Sequence, residues 1–440
     1  MLNISTGRRD LLVALAGRLV STFGDGVALV ALTLRLQADG ARPYEIGLLL
    51  AAGTIPLLLL ARPVGRLVDS QDSRRLLVGA GLVEAACTAP LIVVHSVPVI
   101  MVLVAVLGAA ASVAAATWSA LVPRIVGEDQ VAQAVSAQQS AYALALVGAP
   151  ALGGVLAGTF GTGLPLAIDA ASFLVVTAAA ALVRTRRQPA RPARPARPAR
   201  PASPGRRAGL SSDDRAARPR GGFEILRTDR VLAPLTLGLA VVILFVGMVD
   251  VVLVFLVRAT LHAGGVWFGV AEASWMAGMV VGSLGVGRFQ SERAQIWSTI
   301  AGIGITCAAL APFAVVPAVW MLVPLSVLGG AGNGCAAASF STLLVRRTPD
   351  AERGRVSAAA NAVAGGAQGV SLLIGGAVAA VLSPRAIYAI AGLLGVAIAL
   401  VIGASRSQPR ARLEPPAGTA EPAKVTRSMA SWDDSSEVAS

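Results

Sequence analysis

Stretches of about 20 consecutive apolar residues recur twelve times along this chain, and each is long enough to cross a bilayer as a helix. Between them lie short polar turns and one long polar linker. With 440 residues at 55% hydrophobic composition, the chain has enough apolar positions for about twelve such spans. Charged residues make up 14%, against about 25% in a soluble domain, so three packed soluble domains would have no polar surface to show water. Disordered, collagen-like and disulfide-scaffold chains are excluded on the same grounds. The fold class expected is an all-α integral membrane protein of twelve transmembrane helices.

The spans expected before the linker are Leu11–Leu36, Tyr44–Leu67, Leu76–His95, Pro98–Val122, Ala134–Thr159 and Leu164–Val183. After it come Val231–Val257, Gly264–Val286, Ile296–Ala314, Pro317–Val345, Val356–Val381 and Arg385–Ala404. Residues 1–183 thus form a first six-helix half and 231–404 a second. Residues 184–230 form an Arg/Pro-rich linker, and 405–440 a tail whose Pro, Ser and Asp content reads as disordered. The linker core from Ala190 to Pro201 repeats Ala-Arg-Pro, and proline at every third residue favours an extended polyproline rod. It admits two readings, a solvated tether or an arginine strip drawn to anionic headgroups.

Net charge is +13, but about 30 of the 37 basic residues fall in the termini and alternate loops, which the positive-inside rule places in the cytoplasm with both termini. Nucleic acid is therefore not the expected partner. The single lysine, Lys424, rules out a phosphate-binding G-x-x-x-x-G-K-[ST] loop, and with it ATP hydrolysis of that kind. Cys87, Cys307 and Cys335 lie unpaired in apolar stretches and read as small core residues. The N-terminal apolar run continues to Leu34 through Arg18 and Asp25, so it does not read as a cleavable signal.

An internal repeat organises the two halves. Val135-Ser136-Ala137 aligns with Val356-Ser357-Ala358, and Gly148 and Gly154 align with Gly369 and Gly375, all at an offset of 221. Gly47 meets Gly269 and Gly65-Arg66 meets Gly287-Arg288 at 222, and Asp25 meets Asp250 at 225. Two like-oriented halves imply a pseudo-two-fold axis along the membrane normal with a pathway between them.

The motifs carry a family resemblance. Gly65-Arg66-Leu67-Val68-Asp69, with Arg74 and Arg75 following, resembles the loop signature of the major facilitator superfamily. Gly148-Ala149-Pro150-Ala151-Leu152-Gly153-Gly154 resembles its antiporter motif, with Ala149 in place of the first glycine. Arg18-x-x-Ser21-x-x-Gly24-Asp25 is similar to the first span of proton-coupled drug exporters of the macrolide-efflux and enterobactin-exporter type. So are Leu121-Val122-Pro123, Ile168 to Phe173 and Gly354-Arg355-Val356. The resemblance covers about residues 10–405 and implies the major facilitator fold, no cofactor, and a multi-pass protein of the bacterial cytoplasmic (inner) membrane. It also implies that the kinked fifth span serves export. In the loop, Gly65 is expected to let two helices approach, with Asp69 as a latch to the other half; Ser70 and Ser73 replace basic residues there. Its counterpart, Gly287 to Arg293, has no aligned acid and reads as structural.

Ionisable residues inside the spans cost a few kcal/mol each to insert unless paired or hydrated. Arg18, Ser21 and Asp25 share one helix face, with Arg18 and Asp25 about 10 Å apart, too far for an easy direct bond. Asp25, near mid-depth between Gly24 and Gly26, is the first candidate for proton coupling, followed by Glu84, Asp250 and Glu272. The alternative reading of each is a structural hydrogen-bond partner tying helices together. Asp169 is expected nearer the outer surface in a packing role. The glycine cluster from Gly329 to Gly334 follows no strand and reads as close helix packing, not a nucleotide loop. Tryptophans 118, 267, 275, 297 and 320 are expected near span ends, and Trp275 and Phe245 are candidates to line a cavity for an apolar substrate. His95 and His262 fall in loops, away from any catalytic grouping, so an intramembrane enzyme is not expected. The function expected is proton-coupled export of amphipathic small molecules by alternating access, for which a monomer suffices; an uptake symporter is the second reading.

Overall fold

The computed structural model describes residues 4–126, 131–183, 221–288 and 291–407. The Ala-Arg-Pro core of the linker and the tail beyond 407 lie outside these residues. The N-terminal half contains α1 (Ile4–Ala38), α2 (Pro43–Leu59), α3 (Ala61–Ser70), α4 (Ser73–Leu91), α5 (Val97–Val126), α6 (Val131–Phe160) and α7 (Gly163–Leu182). A short α8 (Gly222–Thr228) precedes the C-terminal half. That half comprises α9 (Leu232–Phe255), α10 (Gly265–Gly285), α11 (Glu292–Leu310), α12 (Leu322–Arg347), α13 (Asp350–Val378) and α14 (Pro384–Ser407). Because the helices alternate in direction, residues 4, 182, 232 and 407 share one face of the bundle, the terminal face. The turns after α1 and α6 lie on the opposite face, where Gly40 and Gly161 adopt φ of +83° and +81° and end their helices.

By length and composition ten of these helices can cross a membrane, and eleven if the bent pair α2–α3 counts as one span. α4 falls outside that count by composition alone, because it carries Arg74, Arg75 and Glu84 within nineteen residues. The second span was expected to be continuous. It breaks by 56° between α2 and α3, because Pro63 has no N–H to donate to the Leu59 carbonyl and its ring crowds that turn. Near the end of the linker, Gly222–Thr228 form α8. That helix buries Leu226 and lays Gly222 against the Arg355 carbonyl of α13. At the terminal face Asp229 caps α9, accepting from the N–H groups of Val231 and Leu232 at 2.7 and 2.8 Å. Arg347 at the end of α12 pairs with Asp229 at 3.3 Å and with Glu292 at the start of α11. Burial pushes the Asp229 carboxyl up, but these N–H donors and Arg347 outweigh it and hold it below the usual carboxylate value.

The halves meet along two seams, α2 on α13 and α6 on α10, and the repeated glycines make them. Gly154 lies so close to Gly269 that a Cβ there would come within 2.9 Å of the Gly269 Cα. In the second seam a Cβ on Gly376 would come within 2.8 Å of the Tyr44 Cα, and Gly47 faces the Leu372 carbonyl. Both crossings lie toward the opposite face. Val30 and Leu34 of α1 join the apolar core of the C-terminal half there, and Val251 and Leu372 join that of the N-terminal half. The same end carries a polar contact across the halves, Arg258 Nε donating to Gln37 Oε1 at 3.4 Å. Arg258 sits in a single π-helical turn, Leu256–Thr260, at the end of α9. Asn333 and the glycines around it let α12 pack tightly on α10 and α11: Gly330 meets the Trp275 carbonyl and Gly332 the Thr306 N–H. Trp118, expected at an interface, is instead buried against Leu77 and Leu121, whereas Trp297 and Trp320 are exposed.

Candidate functional site

The central site grows from one face of α1. Arg18, half-buried Ser21 and Asp25 lie along it at successive turns, and Asp25 is exposed although it sits mid-way along the spanning part of the helix. Arg18 and Asp25 make no ion pair among the described residues, but they interact electrostatically. Arg18 opens into a polar pocket of about 210 Å³ with Thr22, Gln138, Gln139 and Tyr142, between α1 and α6.

Two further carboxylates stand behind this face. Glu84 of α4 is 5% exposed and lies within electrostatic reach of Asp25 and Arg18. Asp169 of α7 is 2% exposed, feels both Asp25 and Glu84, and accepts from the Ser172 hydroxyl at 3.4 Å. The absence of a side chain on Gly24 makes this arrangement possible, because a Cβ there would lie 2.5 Å from Asp169 Oδ1 and 2.6 Å from Ser172 Oγ. The expectation for Asp169 is therefore corrected. α1 overshoots α7 at the opposite face, so a residue early in α7 reaches the mid-depth of α1 and joins its acid cluster. Sequence reading missed this because it measured depth along each span separately. The cluster sets three carboxylates against one guanidinium, so it is electrically neutral when two of the three carry protons.

Asp250 and Glu272 do not join this group. They line a separate cavity inside the C-terminal half, between α9 and α10. Trp275 lines it too, whereas Phe245 is buried in the surrounding core and is not among the lining residues.

The loop and motif glycines divide in a similar way. A Cβ on Gly65 would meet nothing within 4 Å, so the close helix approach expected there is not made: α3 turns away from α2 at the break. Asp69 is exposed near the end of α3. Arg74 donates to the Ala181 carbonyl, tying α4 to the end of α7 within its own half, and Asp72 caps α4 through the Arg74 and Arg75 N–H groups. Arg75 is exposed. In α6, Gly148 faces Phe23 and Gly153 faces Val27, both of α1, while Gly154 and the Pro150 carbonyl face Gly269 of α10. One motif therefore packs α6 on the acid-bearing helix and on the other half at once.

The family model described as Major Facilitator Superfamily matches residues 14–316 and again 235–433. The chain belongs to the Major Facilitator Superfamily. It is a multi-pass membrane transporter of that family. It is similar to macrolide efflux protein A of Streptococcus pyogenes, 23% identical over 308 residues covering 68% of this chain and 72% of that protein. It is also similar to macrolide efflux protein A of Enterococcus faecalis, 24% identical over 271 residues covering 59% of this chain and 79% of the other. Among solved structures, a bacterial homologue of the lysosomal transporter Spinster, in an inward-facing and unoccupied conformation, superposes with a TM-score of 0.67. It is 14% identical, and the match covers 91% of this chain and 96% of that one. The nucleoside transporter NupG superposes with a TM-score of 0.68 at 11% identity, covering 90% and 99%. These two share the fold with this chain.

Proposed function

We propose that this transporter exports amphipathic small molecules in exchange for protons, with Asp25 as the carboxylate that substrate and proton contend for. The observation that carries this reading is the placement of Asp25: exposed at mid-depth of α1, on the same helix face as Arg18, with Glu84 and Asp169 buried within its electrostatic reach. A carboxylate at mid-depth can exchange a proton with water on one side and with a neighbouring acid on the other. The macrolide efflux relatives support export of drug-like compounds, and the glycine motif of α6 sits at the seam that must move. The halves are closed at the opposite face, so alternating access consists of opening the Gly154–Gly269 and Gly376–Tyr44 crossings while the terminal face closes. With the terminal face cytoplasmic, this state receives substrate from the cytoplasm. Asp69 on α3 is then placed to latch the terminal face when it closes. Protonation of the cluster from the outside favours substrate release there, and loss of the proton inside resets it.

The test is efflux from intact cells preloaded with a fluorescent amphiphile or a macrolide. Cells expressing the transporter should lose the compound faster than cells with an empty vector, and a protonophore should abolish the difference. Faster accumulation in expressing cells would overturn export and favour uptake.

A further inference from the structure

Thr88 of α4 is fully buried, and its hydroxyl has no hydrogen-bond partner among the described residues. A threonine inside a helix can satisfy itself by donating to the carbonyl one turn back. Thr33, Thr54, Thr117, Thr159 and Thr177 all do so, at 2.7 to 2.9 Å. Thr88 does not, although that carbonyl belongs to Glu84. An unpaired hydroxyl in an apolar interior costs free energy, so the groups around it matter.

α4 packs antiparallel on α7, and three contacts fix the register. Leu77 shares an apolar cluster with Ala180, Gly81 lies against Thr177, and Leu91 shares a cluster with Leu166. In that register Thr88 stands level with Asp169, which lies on the same buried side of α7 as Leu166 and Phe173. Glu84 lies one turn from Thr88 toward the terminal face, on the same buried side of α4. The unpartnered hydroxyl therefore falls between two buried acids that feel each other's charge. Arg18 and Asp25 of α1 are the other charged groups within reach of the pair.

We propose that Thr88 is the relay through which Glu84 and Asp169 exchange a proton. The Glu84 carboxylic acid donates to Thr88 Oγ1 while the Thr88 hydroxyl donates to the Asp169 carboxylate. The Glu84 proton passes to Oγ1 as the hydroxyl proton passes to Asp169. One proton is transferred, the hydroxyl is regenerated and the net charge of the cluster is unchanged. A hydroxyl suits this place because it donates and accepts at one atom. The relay rests on the reading of the chain as a proton-coupled exporter, and adds the route between the two acids behind Asp25.

The test uses full-length protein in everted vesicles, with erythromycin as the probe compound and a pH-sensitive dye reading proton flux. Thr88→Val keeps the shape and removes the hydroxyl, whereas Thr88→Ser keeps the hydroxyl. Erythromycin-dependent flux is expected to fall about tenfold in Thr88→Val and to stay within about twofold of wild type in Thr88→Ser. Equal flux in wild type and Thr88→Val overturns the relay and leaves proton-coupled export standing, and an equal fall in both variants also overturns it. Absence of flux in wild type fails the export reading instead, and a second measurement then decides the relay without any substrate. Infrared difference spectra between alkaline and acidic buffer are recorded in nanodiscs, with the carboxylic-acid C=O bands assigned by Glu84→Gln and Asp169→Asn. Those bands should move to higher frequency in Thr88→Val, which removes their hydrogen bond, and return in Thr88→Ser. Bands that stay in place in Thr88→Val overturn the relay on their own. Thr88→Ala serves in both measurements should the valine variant fail to insert.

Discussion

Gly24 shows how much of the central site depends on one missing side chain. Its bare backbone lets α7 bring Asp169 and Ser172 against α1, next to Asp25 in the chain. Gly24→Ala should destabilise the protein by about 1–3 kcal/mol, seen as a lower Tm in detergent. Adding Ser172→Ala should recover part of that loss, because the two atoms contend for the same space; strict additivity in the double-mutant cycle would refute the contact. At the same scale, Asp169→Asn is expected to slow proton-driven efflux without unfolding the protein, since Asn keeps the shape and the Ser172 interaction. That result would place Asp169 among the working acids, where the sequence had set it aside.

Among the elements, α6 and the helix ends carry the clearest expectations. Gly154→Leu should wedge the α6–α10 crossing apart at the opposite face, where the backbones nearly touch. Its effect is read as increased labelling of a cysteine placed at position 266 by a membrane-impermeant maleimide from that side, and unchanged labelling would contradict the seam. The Asp229 cap supports a pH prediction. Its carboxyl is held below the ordinary value in the folded protein, so its contribution is fully present above the unfolded value of about 3.9 and is lost as pH falls through the lower folded value. Asp229→Asn should therefore lower Tm at pH 7 but have little effect near pH 2, narrowing the acid sensitivity of the protein.

The elements also show why part of the fold was legible in sequence. Ten long helices announce themselves by apolar length alone, and the glycine cluster from Gly329 to Gly334 read as the close helix packing that α12 makes. α4 was read correctly as a helix although three charges spoil its apolar run. The break at Leu60 was missed because the polar residues from Arg62 onward read as the snorkelling end of one continuous span, not as a separate helix. Gly65 was read for a contact that this access state does not make. Among the site residues, Arg18, Ser21 and Asp25 could be grouped because one helix face relates them. Glu84, Asp169, Asp250 and Glu272 could be named as costly residues but not sorted, since which acids meet depends on how different helices cross.

At the scale of the whole molecule, two halves of one repeat have come to hold their acids differently. Asp25 is exposed and lies within electrostatic reach of Arg18, Glu84 and Asp169 of its own half, while its repeat partner Asp250 lines a cavity with Glu272. The halves cross at Gly154–Gly269 and at Gly376–Tyr44, so each half contributes to the seams while the chemistry is divided. Proton-driven export rests on Asp25 being the coupling acid, and everted membrane vesicles carrying a pH-sensitive dye test that most directly. Respiration acidifies their interior, and a compound panel that includes macrolides is then added to vesicles bearing wild type or Asp25→Asn at matched protein levels. The expected result is a compound-dependent loss of the gradient with wild type and none with Asp25→Asn. An equal loss with both would contradict the role of Asp25, and no loss with correctly inserted wild type would contradict proton-coupled export itself.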